Sequence, residues 1–126
     1  MTKVEAIRTD RAPAAVGPYS QGIRFGDLLF TSGQLPVEEG KLIATDIERA
    51  TRCALANVEA ILAAGGAALA DIVKVTVYLT DMKDFAGMNA VYAETFREPF
   101  PARSCVEVSR LPLDAPILIE AVAAVA

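Results

Sequence analysis

Arg103, Cys105 and Glu107 recur at every second position of Phe-Pro-Ala-Arg-Ser-Cys-Val-Glu-Val, residues 100–108. At strand spacing these three share one face, and Val106 and Val108 take the other. Pro99 and Pro101 forbid a preceding helix from continuing and stiffen the backbone that carries the arginine. A guanidinium fixed in this way is a planar fork for a carboxylate. The plainer reading is a surface arginine at the start of a strand. Cys105, beside that cation, is either a thiol of lowered pKa or a small packing residue.

Glu120 is the one charge in Ile-Leu-Ile-Glu-Ala-Val-Ala-Ala, residues 117–124. A carboxylate in such company is either an edge charge that discourages aggregation or a buried group with a partner. If buried, it becomes an acid or base usable near neutrality. Tyr19 follows Gly17-Pro18 and is held by a rigid turn. Ser32 precedes Gly33, but without nucleophile-elbow spacing or an accompanying base. Asn89 lies beside the apolar stripe of a helix, where hydrogen bonding at the helix surface is its plain role.

The chain contains no histidine. That removes the commonest general base, every histidine-based triad and most transition-metal sites. Catalysis must then rest on carboxylates, Tyr, Cys, Ser, Arg, Lys, backbone groups and water. Cys53 and Cys105 stand far apart and form no CxxC motif, so neither a zinc site nor a disulfide framework is indicated. Cys53 falls on a helix and reads as packing. A net charge of −4 argues against a nucleic-acid surface. No apolar run is long enough to span a bilayer, and Met-Thr-Lys-Val-Glu-Ala lacks the apolar core of a signal peptide. These features predict a soluble, cytoplasmic protein with reduced thiols.

The elements that must position these residues are readable from periodicity. At 126 residues and 53% hydrophobic, the chain suits a single domain, 1–126, with a mostly aliphatic core. Residues 4–7 form a short edge strand. Residues 20–25 and 28–31 form a hairpin around Gly26-Asp27. Residues 37–43 read as a loop. Thr45 to Glu48 has capping-box spacing, and Ile47, Ala50, Ala54, Val58, Ile61 and Leu62 then recur at helical spacing up to Gly65-Gly66. In 71–79, Val73, Val75, Val77 and Leu79 alternate with Lys74, Thr76 and Tyr78. Thr80-Asp81 caps a second helix, whose stripe is Phe85, Met88, Tyr92 and Phe96. Strands 104–109 and 117–125 close the chain around a proline-rich turn at 111–116. Strands that follow one another without a crossover predict antiparallel pairing at both ends. The fold class is therefore α+β, with two helices on one face of a mixed sheet. The strands at 71–79 and 117–125 are nearly apolar on both faces, so the second face needs a cover, and oligomerisation supplies one economically.

Five stretches carry a resemblance. Pro-Tyr-Ser-Gln-Gly (18–22), Phe-Thr-Ser-Gly-Gln (30–34), Asp-Ile-Val-Lys-Val-Thr-Val-Tyr (71–78), residues 100–108 and Ile-Leu-Ile-Glu-Ala-Val-Ala (117–123) are similar, in the same order, to the Rid family of reactive intermediate deaminases, the YjgF-like proteins. The resemblance implies a chorismate-mutase-like fold and a homotrimer with clefts between subunits. It implies hydrolysis of 2-imino or 2-aminoacrylate acids to 2-oxo acids and ammonia, without cofactor or metal. By matching motif, Arg103 would bind the substrate carboxylate and the main-chain carbonyl of Cys105 the imine nitrogen. Glu120 would activate water, and Tyr19, Ser32 and Asn89 would line the cleft. The link from the second helix to Phe100 is shorter than in familiar members, which implies a reshaped cleft wall. The chemistry suits the inventory: an iminium carbon is already electrophilic, so positioning and one water-activating group suffice. A different class of function also fits the apolar second face, namely a non-catalytic trimer that binds 2-oxo acids or a protein surface in the manner of a holdase. Ribonuclease or translation-inhibitor activity, described for some relatives, fits poorly with an acidic chain that lacks histidine.

Overall fold

The computed structural model describes residues 3–125. Strand β1 (Val4–Ile7) leads through a long loop to β2 (Gly22–Phe25) and β3 (Leu28–Thr31). A small hairpin, β4 (Val37–Glu38) and β5 (Lys41–Leu42), precedes helix α1 (Ile47–Ala64). Then come β6 (Ile72–Leu79), helix α2 (Phe85–Thr95), β7 (Ala102–Glu107) and β8 (Ile117–Ala124). Six strands form one sheet in the order β1-β2-β3-β8-β6-β7. Among the described strands only β6 and β7, joined through α2, run parallel; parallel neighbours need such a crossover. The expected α+β architecture, a mixed sheet with both helices packed on one face, is present.

Local chemistry explains most elements. Phe25 pairs with Leu28, so Gly26-Asp27 is a two-residue turn, and Gly26 supplies its positive φ of 61°. Helix α1 is capped one residue later than the spacing suggests. The Asp46 carboxylate accepts from the Arg49 N–H at 3.1 Å. Ala50, Ala54, Val58, Ile61 and Leu62 of this helix are fully buried against the sheet. Each large aliphatic side chain among them contributes about 1.5–3 kcal/mol of burial.

Five expectations are corrected. Residues 37–43 are not a loop: Glu39 and Gly40 both take positive φ and turn the β4–β5 hairpin between them. Asp81 does not cap α2 itself. Its carboxylate accepts from the Lys83 N–H, within a 3₁₀ turn (Met82–Asp84) that leads into the helix. Val73 leaves the core, because the β6–β8 register slips between Ile72 and Lys74; Ile72 is buried in its place. Most consequentially, β7 and β8 do not pair with each other. Strand β8 inserts between β3 and β6. Its Ile117, Ile119, Ala121 and Ala123 bury against the helices, whereas β7 alternates half-buried with exposed residues and suits an edge. Strand β7 also begins at Ala102, so Arg103 is its second residue.

The helix-bearing face holds the core, where Leu29, Val75, Val77, Leu79, Met88, Ile117 and Ile119 are fully buried. The opposite face carries no helix and exposes Leu28, Phe30 and Val106. Among the described residues no helix is long and apolar enough to cross a membrane.

Candidate active site

Arg103 pairs with Val75 across β6–β7, and Val75 is buried beneath the helices. Partners in register share a face, so the guanidinium projects toward α2. There Nη1 donates to Asn89 Oδ1 at 2.6 Å. Its Cζ lies 4.6 Å from the Tyr92 ring centroid and 5.6 Å from that of Phe85. The ring faces attract the cation without consuming its N–H donors. Among the described residues no carboxylate lies within ion-pair reach of Arg103. A cation that is oriented but not neutralised is what an anionic ligand requires. It opens on a cleft of about 400 Å³ lined by Asn89, Tyr92, Ala93, Phe100, Pro101 and Arg103. The connector after α2 thus forms one wall through Phe100 and Pro101. A hollow of this size takes a small organic acid.

Cys105 shares this face and is half-buried. Burial pushes its thiol pKa up, and the Arg103 charge opposes the shift without reversing it. The lowered-pKa reading of this thiol is therefore overturned. Its main chain is different. The Val108 N–H donates to Leu79 O, and in a parallel ladder this fixes the alternation. Ser104, Val106 and Val108 turn their backbone groups toward β6, while Arg103, Cys105 and Glu107 turn theirs outward from the edge strand. The Cys105 carbonyl is therefore available on the same strand edge as the guanidinium.

Glu120 lies elsewhere. It pairs with Thr76, one residue on from Val75, and so faces the open side of the sheet. Within one chain, Arg103 and Glu120 project from opposite faces. Glu120 is half-buried, and Oε1 accepts from the Tyr78 hydroxyl at 2.5 Å. Beyond the paired part of β3, the Thr31 hydroxyl accepts from the Ala121 N–H and Gln34 bridges to Ile119. Ser32 and Gly33 bulge between these contacts, and a Cβ at Gly33 would collide with Leu118, two residues before Glu120. The Ser32 hydroxyl donates to Ser20 O at 2.6 Å and ties the bulge to the Tyr19 loop. Tyr19 itself is half-exposed and lines a larger hollow of about 730 Å³ with Gly33, Gln34 and Cys53. That hollow contains neither Arg103 nor Glu120, so chemistry favours the smaller cleft.

The structure therefore brings Arg103, Asn89 and Cys105 together, and sets Glu120, with Tyr19 and Ser32 on neighbouring segments, apart from them. Two residues escaped the sequence reading. Tyr92 reads as core stripe, yet its ring supports the guanidinium; an arginine one strand beyond an aromatic stripe is the available signal. Tyr78 reads as strand alternation, and nothing short of the β6–β8 register shows that it reaches Glu120. Among the described residues no cluster of three or more Cys, Asp or Glu has the geometry to hold a metal ion.

The sheet order and the cleft beside the edge strand define an α+β domain of the YjgF-like type. The chain belongs to the family described as Endoribonuclease L-PSP, the YjgF-like or Rid family, whose match spans residues 9–125. It is 54% identical over 121 residues to a RutC family protein of Pyrococcus horikoshii, covering 94% of this chain and 96% of that one. It is 50% identical over 123 residues to the 2-iminobutanoate/2-iminopropanoate deaminase of Salmonella typhimurium, covering 94% of this chain and 96% of that one. Among solved structures, E. coli TdcF with bound serine matches at a TM-score of 0.91 and 46% identity, over 97% of this chain and 99% of that chain. The likeness thus spans both the Arg103 cleft and the Glu120 face.

Proposed function

We propose that this chain is a hydrolytic deaminase of reactive 2-imino acids and 2-aminoacrylate, releasing 2-oxo acids and ammonia from a site shared between subunits of a homotrimer. The observation that carries the proposal is Arg103, oriented by Asn89 and two ring faces and, among the described residues, without a carboxylate partner at the mouth of a small cleft. The relatedness to a deaminase of 2-iminobutanoate and 2-iminopropanoate supports the substrate class.

In this reading the remaining Arg103 donors hold the substrate carboxylate in a bidentate pair. The outward carbonyl of Cys105 accepts from the protonated imine nitrogen. The sulfur takes no part, in keeping with a thiol that burial holds protonated. Glu120 of a neighbouring copy takes a proton from water as its oxygen attacks the iminium carbon. The carbinolamine then collapses: Glu120 returns the proton to nitrogen, the hydroxyl yields its own proton to the freed carboxylate as the C=O bond forms, and the C–N electrons leave with ammonia, giving the 2-oxo acid. For 2-aminoacrylate, protonation at C3 first gives the 2-imine. A threefold ring covers the open sheet face, with its exposed Leu28, Phe30 and Val106, and carries Glu120 to the Arg103 cleft of the next subunit.

The test couples an amino-acid oxidase, which makes 2-iminobutanoate in situ, to trapping by semicarbazide. Wild type is expected to lower semicarbazone formation, and Arg103→Ala to abolish that effect. Full turnover by Arg103→Ala would refute the proposal. The serine bound in TdcF favours a second reading, a site that binds amino or oxo acids without turning them over. Saturable calorimetric binding of 2-oxobutanoate by a wild type inert in the assay would establish it.

A further inference from the structure

We propose that Tyr78 is a positioning residue for the reaction: its hydroxyl fixes the Glu120 carboxylate so that one oxygen is aimed at the attacking water. The inference rests on the reading of Glu120 given above. Across β6 and β8, Thr76 stands opposite Glu120 and Tyr78 opposite Leu118, so Tyr78 is the diagonal neighbour of the carboxylate. Diagonal separation is too long for most side chains but within reach of an aromatic one. Tyr78 Oη closes it, donating to Glu120 Oε1 at 2.5 Å, the length of a strong charge-assisted O–H···O⁻ bond.

Among the described residues, Tyr78 is the one side chain that hydrogen-bonds this carboxylate. Strand β6 carries Lys74 on the same face, but its ammonium is engaged by Val75 O, Thr76 Oγ1 and Ser104 Oγ. Strand β7 contributes Ser104 and Val106 there, and β8 contributes Leu118 and Val122 beside Glu120. Among the described residues no ion pair holds Glu120. With Oε1 occupied, Oε2 is left for water. The bond to Glu120, more than burial, pushes the Tyr78 phenol pKa up, so the phenol keeps its proton and acts as donor. No proton leaves Tyr78 in the reaction.

Tyr78→Phe tests this, because the ring stays and only the donor goes. In the semicarbazide assay, kcat is expected to fall about tenfold while KM stays within about twofold, since Arg103 binds the substrate independently. In parallel, NMR titration with Cζ-labelled tyrosine should find the Tyr78 phenol ionising above the ordinary tyrosine range in wild type. In Glu120→Gln it should return toward that range. Loss of turnover in Glu120→Gln with unchanged kcat in Tyr78→Phe would overturn the positioning role and leave the deaminase reading intact. A fall in melting temperature in Tyr78→Phe that accounts for its lost activity would overturn it as well. A wild type with no turnover would overturn both together.

Discussion

The two faces of the sheet are finished to different degrees. On the helix face Arg103 is completed by its own chain: Asn89 holds one nitrogen, Tyr92 and Phe85 support the cation, and Phe100 and Pro101 wall the cleft. On the open face, among the described residues, Glu120 has a single side-chain partner, Tyr78, within a partly apolar surface that no described helix covers. In the proposed reaction, the substrate-orienting group is thus built within one chain, while the water-activating group stands on a surface that would gain its function when a second copy arrives. The division keeps the two opposite charges from neutralising each other in the free chain. A close pair would occupy the guanidinium fork that an anionic ligand needs.

Substitutions and one titration break or sharpen this contrast. The largest effect belongs to Arg103→Ala, which should lower kcat/KM roughly 30- to 4000-fold, corresponding to about 2–5 kcal/mol. Arg103→Lys should recover little, because an ammonium cannot reproduce the bidentate fork. Next is Glu120→Gln, expected to lower kcat about 100-fold with KM nearly unchanged, as removal of a general base requires. If the two substitutions changed kcat and KM in the same proportion, the separation of orientation from water activation would be lost. A smaller effect concerns Tyr92, whose buried hydroxyl has no hydrogen-bond partner among the described residues. Tyr92→Phe keeps the ring under Arg103 and should raise stability by about 1 kcal/mol in urea unfolding with turnover intact. A loss of stability would show that the hydroxyl is satisfied. The smallest is a pH effect. Burial raises the thiol pKa values of Cys53 and Cys105 above their unfolded values. Between the two values the folded state holds more protons than the unfolded one, so stability falls as pH rises. It should be level through neutrality and decline once pH passes the ordinary thiol range near about 8.5. In Cys53→Ala/Cys105→Ala the decline should flatten, which chemical unfolding at several pH values would reveal.

What was legible in the sequence was local. The two helices, the Gly26-Asp27 turn, the β-branched β6 and the proline-framed Arg103 strand follow from periodicity and turn chemistry. What escaped depends on pairings distant in the chain. The place of β8 between β3 and β6 is decided by which strand loses most by staying at an edge, a property of the assembled sheet. That choice fixes Thr76 opposite Glu120 while Val75 stands opposite Arg103, and so sends the two side chains to opposite faces. Neither sequence spacing nor residue type carries that parity. Asn89 was legible as a polar residue near the stripe, but not as the partner of Arg103. The Val73 bulge escaped because an uninterrupted alternation carries no mark of where pairing slips.

The most direct test mixes two inactive variants. Arg103→Ala and Glu120→Gln are unfolded together, refolded as a mixture and assayed against 2-iminobutanoate. If each site joins Arg103 of one copy to Glu120 of the next, random assembly into trimers restores an intact pair at about one boundary in four. The account predicts about a quarter of the wild-type rate from two proteins that are inert alone. A mixture as inactive as its components would contradict it.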